Sequence, residues 1–319
     1  MPFMKKLNIA YFGTPLFSAY FLEKMLFEKK QYMNISFVVT QKDKPQGRKM
    51  QITKSRVKKI AKKYGISVYN NIFNNNYQYL LKDIDIALLY AYGEIVPEKA
   101  LNIPKYGFWN IHPSLLPVCR GPSPITYPLI MGDKKTGVTL IRLDKELDHG
   151  DIISQKEIKI LPQDKKQDMQ IKLSDLGFNM FCDVVNKIAT LKDFKLKTIK
   201  QDHKNATYTK PLKRSDGFIS FNTLQKALKN EKLEKKDLPE IYKGLKPDIK
   251  SSPKVIYDFF KGMHPWPGMW TKILVNNTDK RLKIIDVDYD NNELHINRVQ
   301  LEGKRCVDYK TFQKAYLSS

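Results

Sequence analysis

The chain reads as an α/β protein: a mostly parallel sheet flanked by helices, followed by a small antiparallel barrel. Three observations lead there. Short apolar runs alternate with amphipathic stretches through the first half of the 319 residues, the pattern of a parallel sheet covered by its crossover helices. From Lys192 to Asp216 the periodicity fades into polar, basic chain, which places a domain boundary near residue 205. Beyond Trp270 the apolar positions alternate with polar ones, as in strands with one buried face. A chain of this length also exceeds the size at which a single core stops growing, so two domains, 1–205 and 206–319, are expected.

Leu7 to Phe12 and Ile35 to Val39 read as strands, followed by helices over Phe17 to Phe27 and Val57 to Tyr64. Ile84 to Ala91 is a third strand, followed by the amphipathic piece Pro97 to Leu101. The order is Rossmann-like, yet Gly13-Thr14-Pro15 lacks the later glycines of a dinucleotide turn, so no nicotinamide cofactor is expected. Phe108 to Ile111 ends a buried strand that Pro113 stops, and Val138 to Leu143 is another apolar run. Leu173, Leu176, Met180, Val184, Ile188 and Leu191 recur at three or four, predicting one long helix over Asp164 to Leu191 against the sheet. In the second domain Phe218 to Phe221 is a short strand, and 226–254 is a charged insertion with little to bury. A helix over Val255 to Met263 follows, then strands over Trp270 to Val275, Arg281 to Asp288 and Glu293 to Val299, and a closing helix around Tyr309 to Leu317.

No apolar run is long enough for a membrane span, and the N-terminus leads straight into a strand without an apolar leader, so a cytoplasmic location is expected. Cys119, Cys182 and Cys306 are odd in number and share no Cys-x-x-Cys spacing, which argues against a disulfide framework and a structural zinc site; no metal is expected. The formal net charge of +23 points to a polyanionic partner, although a lysine-rich compositional drift would also produce it. A local block is harder to explain by drift: Lys42 to Lys63 holds ten basic residues against Asp43 alone.

Candidate chemistry gathers in the middle of the chain. Asn110 and His112, two apart at a strand end, share a face. Asp148 comes 36 positions after His112, in the loop after the Val138 to Leu143 strand, so two strand ends could deliver an amide, an imidazole and a carboxylate to one rim.

Asn110-Ile111-His112, Ser114-Leu115-Leu116-Pro117 and Leu147-Asp148-His149-Gly150-Asp151 closely resemble the signature of the folate-dependent formyltransferases. Tyr11-Phe12-Gly13-Thr14-Pro15, Thr40 to Arg48, Ala91-Tyr92-Gly93 with Val96-Pro97, Thr207-Tyr208-Thr209-Lys210 and His264-Pro265-Trp266-Pro267-Gly268 resemble the methionyl-tRNA formyltransferases of that superfamily. The resemblance implies that the formyl group of 10-formyltetrahydrofolate, a co-substrate, passes to the amino group of initiator methionyl-tRNA. Asn110 would stabilise the oxyanion, His112 would carry charge or a proton, and Asp148 would favour the imidazolium and take a proton from the amine. Ser114, Leu115, Leu116 and Pro117 would hold the folate, with Leu89, Tyr90 and Ala91 as the other wall; Arg48, Lys44 and Lys49 would contact tRNA.

By the same resemblance the C-terminal domain is an oligonucleotide-binding-type (OB-like) barrel, and the enzyme is expected to act as a monomer. The barrel is shortened: only Asp288 to Asn292 joins two strands between which the family carries a further hairpin. The Arg-Gly-Ala-Ala-Pro of the family is here Arg120-Gly121-Pro122-Ser123-Pro124. Formyltransferases acting on an amino-sugar nucleotide or glycinamide ribonucleotide would use the same pocket residues, so the acceptor rests on the basic block and the second domain.

Overall fold

Leu7–Gly13 (β1) is buried at all but one residue, which suits a strand covered on both faces. The computed structural model describes residues 5–28, 31–46, 51–74, 77–191, 194–245 and 253–317. They fall into two compact units. The first holds the chain up to Pro124, with Thr136–Lys159 and Gln170–Thr209; the second holds Ile125–Lys135, Ile160–Met169 and the chain from Lys210 on.

In the first unit β1 leads into helix Leu16–Glu28 (α1) and strand Met33–Val39 (β2). A short hairpin, Lys44–Gln46 (β3) and Gln51–Thr53 (β4), precedes helix Arg56–Lys63 (α2), whose first turn is capped by Ser55 Oγ accepting from the Lys58 N–H. Val68–Tyr69 (β5), helix Tyr77–Leu81 (α3), Ile86–Tyr90 (β6) and Phe108–His112 (β7) follow. After helix Thr126–Met131 (α4), which belongs to the second unit, come Lys135–Arg142 (β8), Ile152–Lys159 (β9) and the helix Lys166–Thr190 (α5). The sheet order is β5-β2-β1-β6-β7-β8-β9; the pairs from β5 to β7 are parallel, and β7 with β8 is antiparallel.

The long helix read from the apolar spacing is therefore present, and it lies close on the sheet. A β-carbon on Gly177 would stand 2.8 Å from Ile111 Cγ2 and 3.4 Å from Val138 Cγ1, so glycine permits the approach. Ile111 thus faces α5, and alternation turns Asn110 and His112 to the opposite face. The polar stretch after α5 is more ordered than a mere connection: Ile199 bridges Ile152, and Tyr208 bridges Arg120.

The second unit is built from α4, helix Phe221–Leu228 (α6), helix Lys254–Met263 (α7), strands Met269–Val275 (β10), Thr278–Asp290 (β11), Glu293–Leu301 (β12) and Cys306–Asp308 (β13), and helix Tyr309–Tyr316 (α8). The four strands form an antiparallel sheet in sequence order, with register shifts around Asp286 where β11 meets β12. Two expectations are corrected. Phe218 makes one isolated bridge to Trp270, and Phe221 opens α6 because Ser220 Oγ caps the Thr223 N–H. The charged insertion buries more than its composition suggests, since Leu233 and Tyr242 are in the core and the Tyr242 hydroxyl donates to the Ile130 carbonyl.

Candidate active site

β7 positions two of the three chemical side chains. Asn110 lies opposite Ile141 and beside Leu89, and His112 lies opposite Thr139. Asp148 reaches them from the loop between β8 and β9. Its φ is +49°, and Gly150 lets the loop pass so close to β8 that a β-carbon there would sit 1.8 Å from the Arg142 carbonyl oxygen. The Arg142 N–H donates to Asp151 O, and Asp151 Oδ2 accepts from Thr198, which closes the loop.

The Asp148 carboxylate is 8% exposed and both its oxygens are engaged. Oδ1 accepts from Asn110 Nδ2 at 3.2 Å and faces His112 Nδ1 at 3.5 Å; Oδ2 accepts from the Gly121 N–H at 2.7 Å. The carboxylate can only accept, so it fixes which end of the Asn110 amide carries the hydrogens. The same logic sets the imidazole. His112 Nε2 lies 2.9 Å from the Cys119 carbonyl, which cannot donate, so Nε2 carries a proton and Nδ1 is the nitrogen presented to Asp148. A protonated ring donates from both sides. Cys119, a buried residue, contributes its carbonyl here, and its N–H donates to Thr207 Oγ1.

The turn after β7 is tied to the sheet. Ser114 Oγ donates to Val118 O, Thr139 Oγ1 donates to Ser114 O and accepts from the Leu116 N–H, and Gln155 donates to Leu116 O. Pro117 follows a cis peptide bond. Leu89 and Leu116 are buried, and Leu115 is half-buried. The Tyr90 ring packs in the core edge-on to Phe17 and tilted against Phe21, and its hydroxyl bonds Ser174, so Tyr90 can offer a ligand only backbone; burial pushes its pKa well up. Ala91 takes φ +53° at the strand end.

Lys44 is exposed on β3, its ammonium on Gln41 Oε1 at 2.8 Å. Arg48 and Lys49 lie outside the described residues. His149 turns from Asp148 toward Asp144, with Nδ1 2.6 Å from Oδ2, and stacks on His203 at 3.8 Å. No group of His, Cys, Asp and Glu able to hold a metal occurs among the described residues.

Sequence reasoning passed over one participant. Gln201, inside the polar stretch after α5, donates from Nε2 to the carbonyls of Asp148 and Gly150 and accepts from Arg120 through Oε1. Its neighbours carry no apolar period, so only the Thr207 to Lys210 resemblance marked the region.

The end of β7 and the loop after β8 bring a carboxylate, an amide and an imidazole together, and the chain is a group transferase, since residues 5–185 match the formyl transferase family. The chain belongs to the methionyl-tRNA formyltransferase family within it: it is 33% identical over 318 residues, 97% of each chain, to the methionyl-tRNA formyltransferase of Caldicellulosiruptor saccharolyticus. It is 38% identical over 221 residues to that of Dictyoglomus thermophilum, covering 68% of this chain and 69% of the other. Among solved structures, the Clostridium thermocellum methionyl-tRNA formyltransferase shares the fold with a TM-score of 0.58 at 16% identity, over 95% of this chain and 99% of that one. The Helicobacter canadensis N-formyltransferase, in complex with folinic acid and dTDP-3-aminofucose, shares it with a TM-score of 0.55 at 18% identity, over 96% of this chain and 99% of that one. The fold is common to enzymes with different acceptors.

Proposed function

We propose that the protein transfers the formyl group of 10-formyltetrahydrofolate to the free amino group of methionyl initiator tRNA, acting as a monomer in the cytoplasm of a bacterium or its organellar equivalent. Residues 1–205 would form the catalytic domain and 206–319 the tRNA-binding one. The observation that carries the reading is the meeting of Asp148 Oδ1 with Asn110 and His112, in a chain similar end to end to named methionyl-tRNA formyltransferases.

The acceptor amine attacks the formyl carbon, and negative charge grows on the formyl oxygen. One Asn110 N–H is held by Asp148; the second is available to that oxygen, and such a donor is worth roughly 3 to 4 kcal/mol of barrier. The attacking nitrogen must lose a proton, and Asp148 is the base at hand. His112, donating to Cys119 from Nε2, meets the carboxylate with Nδ1, so a proton taken up by Asp148 can be shared between Oδ1 and that nitrogen. The tetrahedral species then collapses and expels the folate nitrogen, which takes up the proton that the amine gave to Asp148. Ser114, Leu115, Leu116 and Pro117 would hold the folate from one side, with Leu89, Ala91 and the backbone of Tyr90 on the other. Lys44, Lys49 and Arg48 would meet phosphates of the acceptor stem.

The test offers 10-formyltetrahydrofolate with methionyl initiator tRNA, with water, with glycinamide ribonucleotide and with an amino-sugar nucleotide, and follows tetrahydrofolate release. Release driven by the tRNA at least ~100-fold above the others is expected. Release driven equally well by a small amine would overturn the acceptor.

A further inference from the structure

Asp148 holds an unusual backbone. A non-glycine residue at φ +49° is disfavoured by its own β-carbon and persists only where its surroundings fix it. Gly121 and Gln201 do the fixing. The Gly121 N–H binds Oδ2 at 2.7 Å, and the Gln201 amide donates one hydrogen to the Asp148 carbonyl at 2.9 Å and the other to the Gly150 carbonyl at 2.8 Å. With both hydrogens on carbonyls, Gln201 Oε1 must face a donor. That donor is Arg120, through Nη2 at 2.7 Å and Nε at 3.3 Å.

Arg120 itself is 2% exposed, and no carboxylate lies within salt-bridge distance of it among the described residues. A buried cation lacking a counter-ion is expensive unless its hydrogens are all placed. Four of its five go to Gln201, from Nε and Nη2, to His203 Nδ1 at 2.8 Å and to the Tyr208 hydroxyl at 3.4 Å. Its backbone is pinned on both sides, the N–H to Thr207 O and the carbonyl to the Thr209 N–H. The guanidinium is therefore a fixed post against which Gln201 is braced.

We infer that Arg120 and Gln201 are positioning residues that hold the Asp148 loop in its left-handed turn and so aim Asp148 Oδ1 at Asn110 and His112. The inference rests on the proposed role of Asp148. Neither residue needs to touch substrate. An isosteric change separates holding the loop from holding the fold: Gln201→Glu keeps an oxygen on Arg120, and gains charge there, but sets oxygen against the carbonyls of Asp148 and Gly150.

The experiment measures kcat, both KM values and the thermal midpoint for Gln201→Glu, Asp148→Ala and the double variant. Gln201→Glu should lower kcat at least ~10-fold with KM values within ~3-fold and a midpoint close to the parent, and in the Asp148→Ala background it should change kcat less than ~2-fold. Turnover like the parent, or an equal loss in both backgrounds, would overturn the inference. Parent-like turnover in Asp148→Ala alone would instead remove the reading of Asp148, and the inference with it. If the Glu variant does not purify, Gln201→Ala, whose space admits water, enters the same cycle with the same criteria.

Discussion

Asp148 and Lys44 belong to the same unit and are held in opposite ways. The carboxylate is buried, both of its oxygens are on donors, and its backbone is clamped by an amide. The ammonium is exposed on a three-residue strand and touches one side-chain oxygen. Under the proposed function the difference separates two jobs. A group that must meet a reacting atom has to be in place before substrate arrives, and buried hydrogen bonds achieve that. Groups that meet a phosphate chain can act through charge and number, at the cost of sensitivity to salt.

Breaking the buried side should give the largest effects. Asn110→Ala removes the proposed oxyanion donor, and kcat should fall by about 10² to 10³ while the KM for folate moves little, measured by steady-state formylation. Gly150→Ala forces a β-carbon onto the Arg142 carbonyl; a stability loss of about 1 to 3 kcal/mol and a displaced Asp148 should appear together in denaturation and turnover. For the proposed tRNA contacts, Arg48→Ala should raise the KM for tRNA several-fold and leave the folate KM unchanged. Equal loss of both would contradict a tRNA-specific role for Arg48.

The smallest effect lies in the second unit. Burial holds the Lys166 ammonium down at about 8 against an ordinary 10.5, with the Trp266 carbonyl 3.4 Å from its Nζ. A lysine whose folded pKa is lowered penalises the fold fully below the folded value, and the penalty fades as pH rises toward the unfolded one. Stability should therefore increase from pH about 8 to 10.5 by this contribution, and Lys166→Met should remove that slope and raise the thermal midpoint at pH 7. A lower midpoint would contradict it.

What was legible follows the same division. Strands such as Ile86–Tyr90 are apolar throughout because both faces are covered, and Asn110 with His112 stands out because two polar side chains share a face at a strand end. Gln201 was not legible: a lone amide in a polar stretch has no periodicity, and its value comes from a carbonyl 53 residues away. Nor was it apparent that Ile125–Lys135, early in the chain, belongs to the later unit. α4 reads as any apolar core segment, and it joins α7 because Gly262 leaves room, a β-carbon there standing 2.5 Å from Ile130 Cγ2. The charged insertion misled for a related reason: its few apolar residues are widely spaced, yet Leu233 and Tyr242 reach one core.

The central claim is that a prearranged carboxylate does the proton work of formyl transfer. The direct measurement is the single-turnover rate of Asp148→Asn at saturating 10-formyltetrahydrofolate and methionyl initiator tRNA, with binding of both checked separately. Asn keeps the shape and loses the base, so the rate should drop at least ~100-fold with binding intact. A rate within a few-fold of the parent would contradict the assignment.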